Sequence, residues 1–117
     1  MRALSVHQPW ASLIAEGKKT IETRQRATKI RGPLLIVSTK KPVIDGLPSG
    51  TALCVATLTD CRPMQPIDEI DACCSRYPNA HSWVLTNIRK IKPFPVKGSQ
   101  GFYTVDDSKI QYKQETP

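Results

Sequence analysis

The chain has no long apolar run. Its longest hydrophobic stretch, Pro33–Val37 (PLLIV), is strand-sized, far short of the ~18 consecutive apolar residues that a membrane-spanning helix needs. The first residues, MRALSVHQPW, lack the continuous apolar core and small-residue cleavage site of a secretory signal, so none is expected. No CxxC pair occurs among Cys54, Cys61, Cys73 and Cys74, and with only His7 and His81 besides, no closed zinc pattern can be written. A glycine-rich phosphate loop is also missing, which argues against nucleoside triphosphate chemistry. Aromatic residues make up only 6% of the chain, too few for a long platform that stacks single-stranded bases. These absences exclude a membrane span and leave a chain expected to need no metal and no cofactor. They place it in the cytoplasm with reduced, packed thiols. At 117 residues and 39% hydrophobic, it holds enough apolar material for one domain with one modest core and not for a second.

Positive charge is abundant, and it is concentrated. The net charge is +7, and residues 1–41 carry nine Lys/Arg against two acids, whereas residues 42–117 carry eight of each. From Lys18 to Lys41, eight cations face only Glu22. Such a block in a foldable domain suggests a face for an anionic partner, with nucleic acid the first candidate.

Periodicity divides the chain into short elements. Arg2–Val6 reads as a strand. Pro9 suits a helix start, Trp10, Leu13 and Ile14 follow at helical spacing, and Gly17 closes the pattern. Thr20–Arg24 alternates as a strand that places Glu22 and Arg24 on one face and turns Thr23 away from them. Leu34–Val37 reads as a central strand, and Thr51–Leu58, with Leu53, Val55 and Thr57 alternating against Cys54, Ala56 and Leu58, gives the strongest β signal. Cys61–Pro66 reads as a turn. Ile67–Cys74 reads as a short helix with Ile67, Ile70 and Cys74 on its inner face. Trp83–Ile91 and Gly101–Val105 complete the strands, and the tail 106–117 is polar and expected to fray. Ten prolines between these elements argue against a helical bundle. The expected fold is α+β: a small mixed β-barrel of five to six strands with one or two short helices over residues 1–105.

One constellation stands out. In Gly17–Arg24 (GKKTIETR), a lysine, a glutamate and an arginine follow a helix end. A carboxylate between two cations holds the Lys19 ammonium and the Arg24 guanidinium in fixed orientation for a partner. On spacing alone, a surface ion pair at a strand start is the competing interpretation.

Gly17, Lys19, Glu22 and Arg24 fit the GxKxxExR signature of the ASCH domain, a relative of the PUA-like β-barrels. LSVHQPWASLI (Leu4–Ile14) resembles the opening of small ASCH proteins, and GPLLIVSTK (Gly32–Lys40) and VKGSQGFYTV (Val96–Val105) resemble their central strand and closing segment. The resemblance implies a barrel whose cleft binds RNA or a modified nucleoside. Lys19, Glu22 and Arg24 would line that cleft, with Gln8 and Trp10 near its rim and Lys97 a further candidate. A monomer or weak dimer is expected.

The resemblance also raises catalysis. Some small ASCH proteins are amidohydrolases that remove an acyl group from the exocyclic amine of a cytosine nucleoside. Their signature lysine works beside a threonine where this chain has Glu22, with a separate glutamate for which Glu69 is the available candidate. A threonine activated by lysine can attack an amide carbonyl, whereas a carboxylate acts as a base on water or simply binds. Lys19 and Glu22 are therefore the catalytic residues if the chain is a hydrolase or a ribonuclease. An adjacent anionic Glu22 is expected to keep Lys19 charged, an anchor rather than a base. A protein-interaction module with an incidental basic face is the third possibility.

Overall fold

The computed structural model describes residues 1–114. Six strands, β1 (Arg2–Val6), β2 (Ile21–Arg24), β3 (Gly32–Ser38), β4 (Thr51–Pro63), β5 (His81–Pro95) and β6 (Phe102–Thr104), form one sheet in the order β2-β5-β4-β3-β1-β6. β1 and β3 pair in parallel and every other neighbour is antiparallel. The sheet is mixed and curls into a half-barrel whose two ends, β2 and β6, remain unpaired with each other. With helix α1 (Trp10–Ala15) and the one-turn helix α2 (Glu69–Ala72), the fold is α+β.

β3 lies at the centre because it is apolar on both faces. Leu34 and Ile36 enter a core under α1, with Leu4, Val6, Ile14, Trp83 and Leu85. Leu35 and Val37 enter a second cluster on the opposite face, with Ala3, Val55 and Ile91. One modest core was expected from composition; a sheet covered on both faces divides the apolar residues between two layers, and a third, smaller cluster holds Ile21, Met64, Ala72 and Ala80. Strict alternation also fails in β4, where Leu53 and Cys54 both face the first core. The pairing with β5 shifts between Ala52 and Cys54, and a bulge of this kind inserts a residue and turns the following side chains over. β4 runs on through Cys61 to Pro63 rather than turning there, because β5 is long enough to pair with it as far as His81.

Two further segments depart from the sequence reading. In α2 and the preceding 3-10 turn (Pro66–Asp68) the expected inner face is kept only at Cys74, which packs on a small cluster with Ala72: Ile67 and Ile70 are 82% and 86% exposed, whereas Asp68 is buried. The Asp68 carboxylate accepts hydrogen bonds from the Gln65 amide (2.9 Å), Arg62 Nη2 (2.6 Å) and Ser82 Oγ (3.0 Å). In a single turn of helix, three bonds to one carboxylate outweigh a two-residue apolar stripe. The tail does not fray up to Gln114. Val105 exchanges backbone hydrogen bonds with Met1, Asp107 pairs with the N-terminal amine, and Ile110 packs on the second cluster. Residues 115–117 of that tail lie outside the described residues.

All four cysteines are free. Burial pushes the Cys54 thiol up to about 12, while Cys73 is exposed. A thiol-reactive dye at pH 8 should therefore label Cys73 rapidly and Cys54 only after denaturation; rapid native labelling of Cys54 would contradict this core. Burial alone would raise the Asp68 pKa, but its bonds to Gln65, Arg62 and Ser82 hold it below the ordinary 3.8. Its stabilising contribution is thus complete above that value and is lost as pH falls through the depressed folded-state value. Asp68→Asn should cost about 1.5–3 kcal/mol at pH 7. Urea unfolding of both proteins should show the gap closing toward pH 2.

Candidate functional site

Lys19 reaches its position through the end of α1. Gly17 adopts φ +76°, a left-handed conformation that glycine takes freely, and the Lys18 and Lys19 amides both donate to Leu13 O. The chain turns under the sheet, and the segment before β2 then runs beside α2: the Thr20 amide donates to Asp71 O and Lys19 Nζ to Ala72 O at 2.5 Å. Lys19 is left 1% exposed. A buried ammonium requires an acceptor and a counter-charge; Ala72 O supplies the first, and Glu22 Oε1, 3.8 Å from Nζ, the second.

Glu22 is itself 7% exposed. Its other oxygen, Oε2, accepts from Arg24 Nε at 3.0 Å and lies 2.9 Å from Nη2. Arg24 Nη2 also donates to Ser5 O (3.0 Å), and its guanidinium lies over the Trp83 ring at 5.8 Å. The three signature side chains thus converge, as the alternation of β2 implies. They form a chain of charges, ammonium to carboxylate to guanidinium, held between α2 and β1. Burial lowers the Lys19 pKa below the ordinary 10.5 against the opposing pull of Glu22. Glu22 does pull the value up, as expected, but desolvation of a nearly enclosed ammonium exceeds the attraction of a carboxylate 3.8 Å away, so the net direction is downward.

These residues line a cleft of about 880 Å³. β1 contributes Ser5 and Val6, α1 contributes Trp10, and the loop after β2 contributes Arg26. Tyr77 and Cys74 close one wall and Ser99, Gln100 and Gly101 another. Trp10, 38% exposed, stands at the cleft, whereas Trp83 is core, stacked on Phe102 at 5.7 Å. His7 also lines the cleft, with Nδ1 2.9 Å from Thr39 Oγ1.

Three sequence-derived candidates lie elsewhere. Gln8 is buried outside the lining: its amide donates to Ser12 Oγ and Pro48 O and accepts from the Ser12 amide, so it fixes the start of α1. Lys97 is exposed and away from the cleft; the closing segment sends Ser99–Gly101 there instead. Gly98 is needed for space, since a Cβ would fall 2.7 Å from Ser5 Oγ. Glu69 accepts from the Arg76 amide and does not line the cleft. Thr23, expected to turn away, also lines the cleft, its Oγ1 3.8 Å from Cys74 Sγ. β2 is an edge strand, and the 72–77 segment wraps past that edge so that both of its faces meet the cleft wall. Arg26 and Tyr77 were not assigned to the cleft from sequence, because loops carry no periodicity to place them, and Cys74 reads only as the inner face of a helix.

The comparisons with known proteins agree with this fold. Residues 4–95 match the ASCH domain. Human activating signal cointegrator 1 is 58% identical over 40 residues, which are 33% of this chain and only 7% of that protein. The crystal structure of ASCH from Zymomonas mobilis superposes with a TM-score of 0.68 at 17% identity, covering 92% of this chain and 88% of the other. A single-substitution variant of the same bacterial protein gives 0.64 at 16% identity, over 90% and 89% of the two chains. With the family match extending over most of its length, the chain belongs to the ASCH domain family.

Proposed function

We propose that the cleft binds RNA or a modified nucleoside, with Arg24 and Arg26 toward phosphate or the polar edge of a base and Trp10 and Tyr77 offering aromatic surface. The observation that carries this reading is the committed state of Glu22. Both of its oxygens face cations, Oε1 at 3.8 Å from Lys19 Nζ and Oε2 accepting from Arg24 Nε. A carboxylate so engaged orients a guanidinium, whose Nη1 makes no hydrogen bond among the described residues. An oriented arginine in a partly dry cleft is a recognition group for a planar or anionic ligand.

A hydrolase reading is favoured by one observation, the lowered pKa of Lys19 beside Glu22. In that reading Glu22 takes a proton from water, the oxygen adds to the acyl carbon of an N4-acylated cytidine, and the C–N bond breaks as the amine regains a proton. A ribonuclease would use the same pair. Against both, Arg24 draws on the Oε2 side of the carboxylate and weakens Glu22 as a base, and Lys19 Nζ is tied to Ala72 O.

Fluorescence anisotropy with a labelled single-stranded RNA hexamer should show affinity falling with salt by about 0.7 log units per log unit of salt for each phosphate neutralised. Arg24→Gln should weaken binding roughly ten- to a hundredfold, the loss of about 1.5–3 kcal/mol for a charged hydrogen bond. Binding indifferent to salt and to Arg24→Gln would overturn the reading. In a turnover assay on N4-acetylcytidine, little or no hydrolysis is expected, and Lys19→Ala should impair binding at least as much as any turnover. Robust turnover abolished by Lys19→Ala with binding intact would establish the hydrolase instead.

The lowered Lys19 pKa predicts two opposite pH trends. Affinity for an anionic ligand should fall as pH rises through that value, below 10.5. Over the same window the free protein should gain stability relative to Lys19→Met, because the unfolded chain then binds the extra proton. Urea unfolding from pH 7 to 10.5 reads the second trend; a constant gap between the two proteins would count against burial of the ammonium.

A further inference from the structure

The net neutrality of residues 42–117 conceals a separation of charge. Residues 89–113 hold six Lys/Arg, at 89, 90, 92, 97, 109 and 113, against the two acids Asp106 and Asp107. Tertiary structure gathers four of the six. The tail pairs with the second half of β5 in antiparallel fashion: Ile91 bridges Tyr112, the Lys92 amide donates to Gln111 O (2.8 Å) and the Lys113 amide to Lys90 O (3.0 Å). This register sets Lys90 directly opposite Lys113. Ile91 and Tyr112 share one side of the ladder, so Lys90, Lys92 and Lys113 share the other.

Like charges directly opposite each other across a ladder are destabilising. None of the ion pairs among the described residues includes Arg89, Lys90, Lys92 or Lys113, and all four are exposed. Lys90 and Lys92 stand about 6.7 Å apart along the strand, comparable to the phosphate step of an extended nucleic-acid strand. On the opposite side of the ladder, with Ile91, the Arg89 guanidinium lies 3.8 Å from the centroid of the Tyr112 ring, which stays 37% exposed. A row of three exposed cations with no ion-pair partner among the described residues suits a phosphate backbone. A lipid surface is the poorer fit, since Ile91 is buried and Ile88 and Ile110 are part of the core packing.

We propose that the lysine face of the β5–tail ladder, through Lys90, Lys92 and Lys113, is a second contact surface for single-stranded RNA. It rests on the RNA reading of the cleft for its ligand class and extends the footprint beyond it. The test compares labelled RNA of 4 and 12 nucleotides on the full chain, using wild type, Lys90→Gln/Lys92→Gln/Lys113→Gln and Arg24→Gln. The triple variant should keep wild-type affinity for the 4-mer and lose about tenfold or more for the 12-mer, with a salt slope shallower by about 2, three contacts at about 0.7 each. Its melting temperature at low salt should equal or exceed that of wild type, since like-charge repulsion is removed. Unchanged 12-mer affinity and slope would overturn the proposal, as would wild type binding neither length. Loss of binding to phosphatidylserine-containing vesicles with RNA binding intact would overturn it in favour of a membrane surface. Arg24→Gln reads the cleft separately: if it leaves both lengths unaffected while the triple variant loses the 12-mer, the cleft reading fails and the ladder stands.

Discussion

A single buried ammonium organises one end of this molecule. Lys19 is almost wholly withdrawn from bulk water, so its charge must be met mainly within the protein, and each partner that meets it fixes a different element. Ala72 O brings α2 against the start of β2, while Glu22 sets the β2 face toward the cleft and presents Arg24 to Ser5 of β1. Burying charges of this kind is costly, and replacing a whole buried ion network by well-packed apolar residues is often neutral or stabilising. Its presence here is better understood as positional: it holds a guanidinium at a set place in a cleft. The same burial that fixes the geometry lowers the lysine's pKa, so positioning and proton chemistry are consequences of one placement.

The sheet supports this arrangement through its order. Because β3 is apolar on both faces, it occupies the middle, and β2 is displaced to one end. An edge strand is free to be wrapped by the 72–77 segment, which is how Thr23, Cys74 and Tyr77 join a cleft whose floor is Lys19, Glu22 and Arg24. Along β5 the same edge is covered first by β2 and then by the tail. Covering an edge protects it from pairing with another chain, and here the covering segment also brings Lys113 opposite Lys90.

Much of this was legible without coordinates. The helix Trp10–Ala15, the glycine that ends it, the central strand and the shared face of Glu22 and Arg24 all follow from local periodicity and from backbone preferences at glycine and proline. These are short-range effects, and they survive any tertiary context that buries the apolar face. The outward Ile67 and Ile70 and the buried Asp68 did not follow, since one buried carboxylate with three donors overrules a one-turn apolar pattern. Gln8 likewise read as a rim residue, but its amide is consumed in holding the start of α1.

The sequence by itself determined the element types, the family signature and the concentration of cations in the first third, because each depends on residue identity and near neighbours. Only the tertiary structure decided that Lys19 is enclosed, that its pKa falls, that Lys97 stands apart from the cleft and that the tail completes a ladder with β5. Those outcomes depend on which distant segments pack together, and desolvation is a property of the packing and not of the residue.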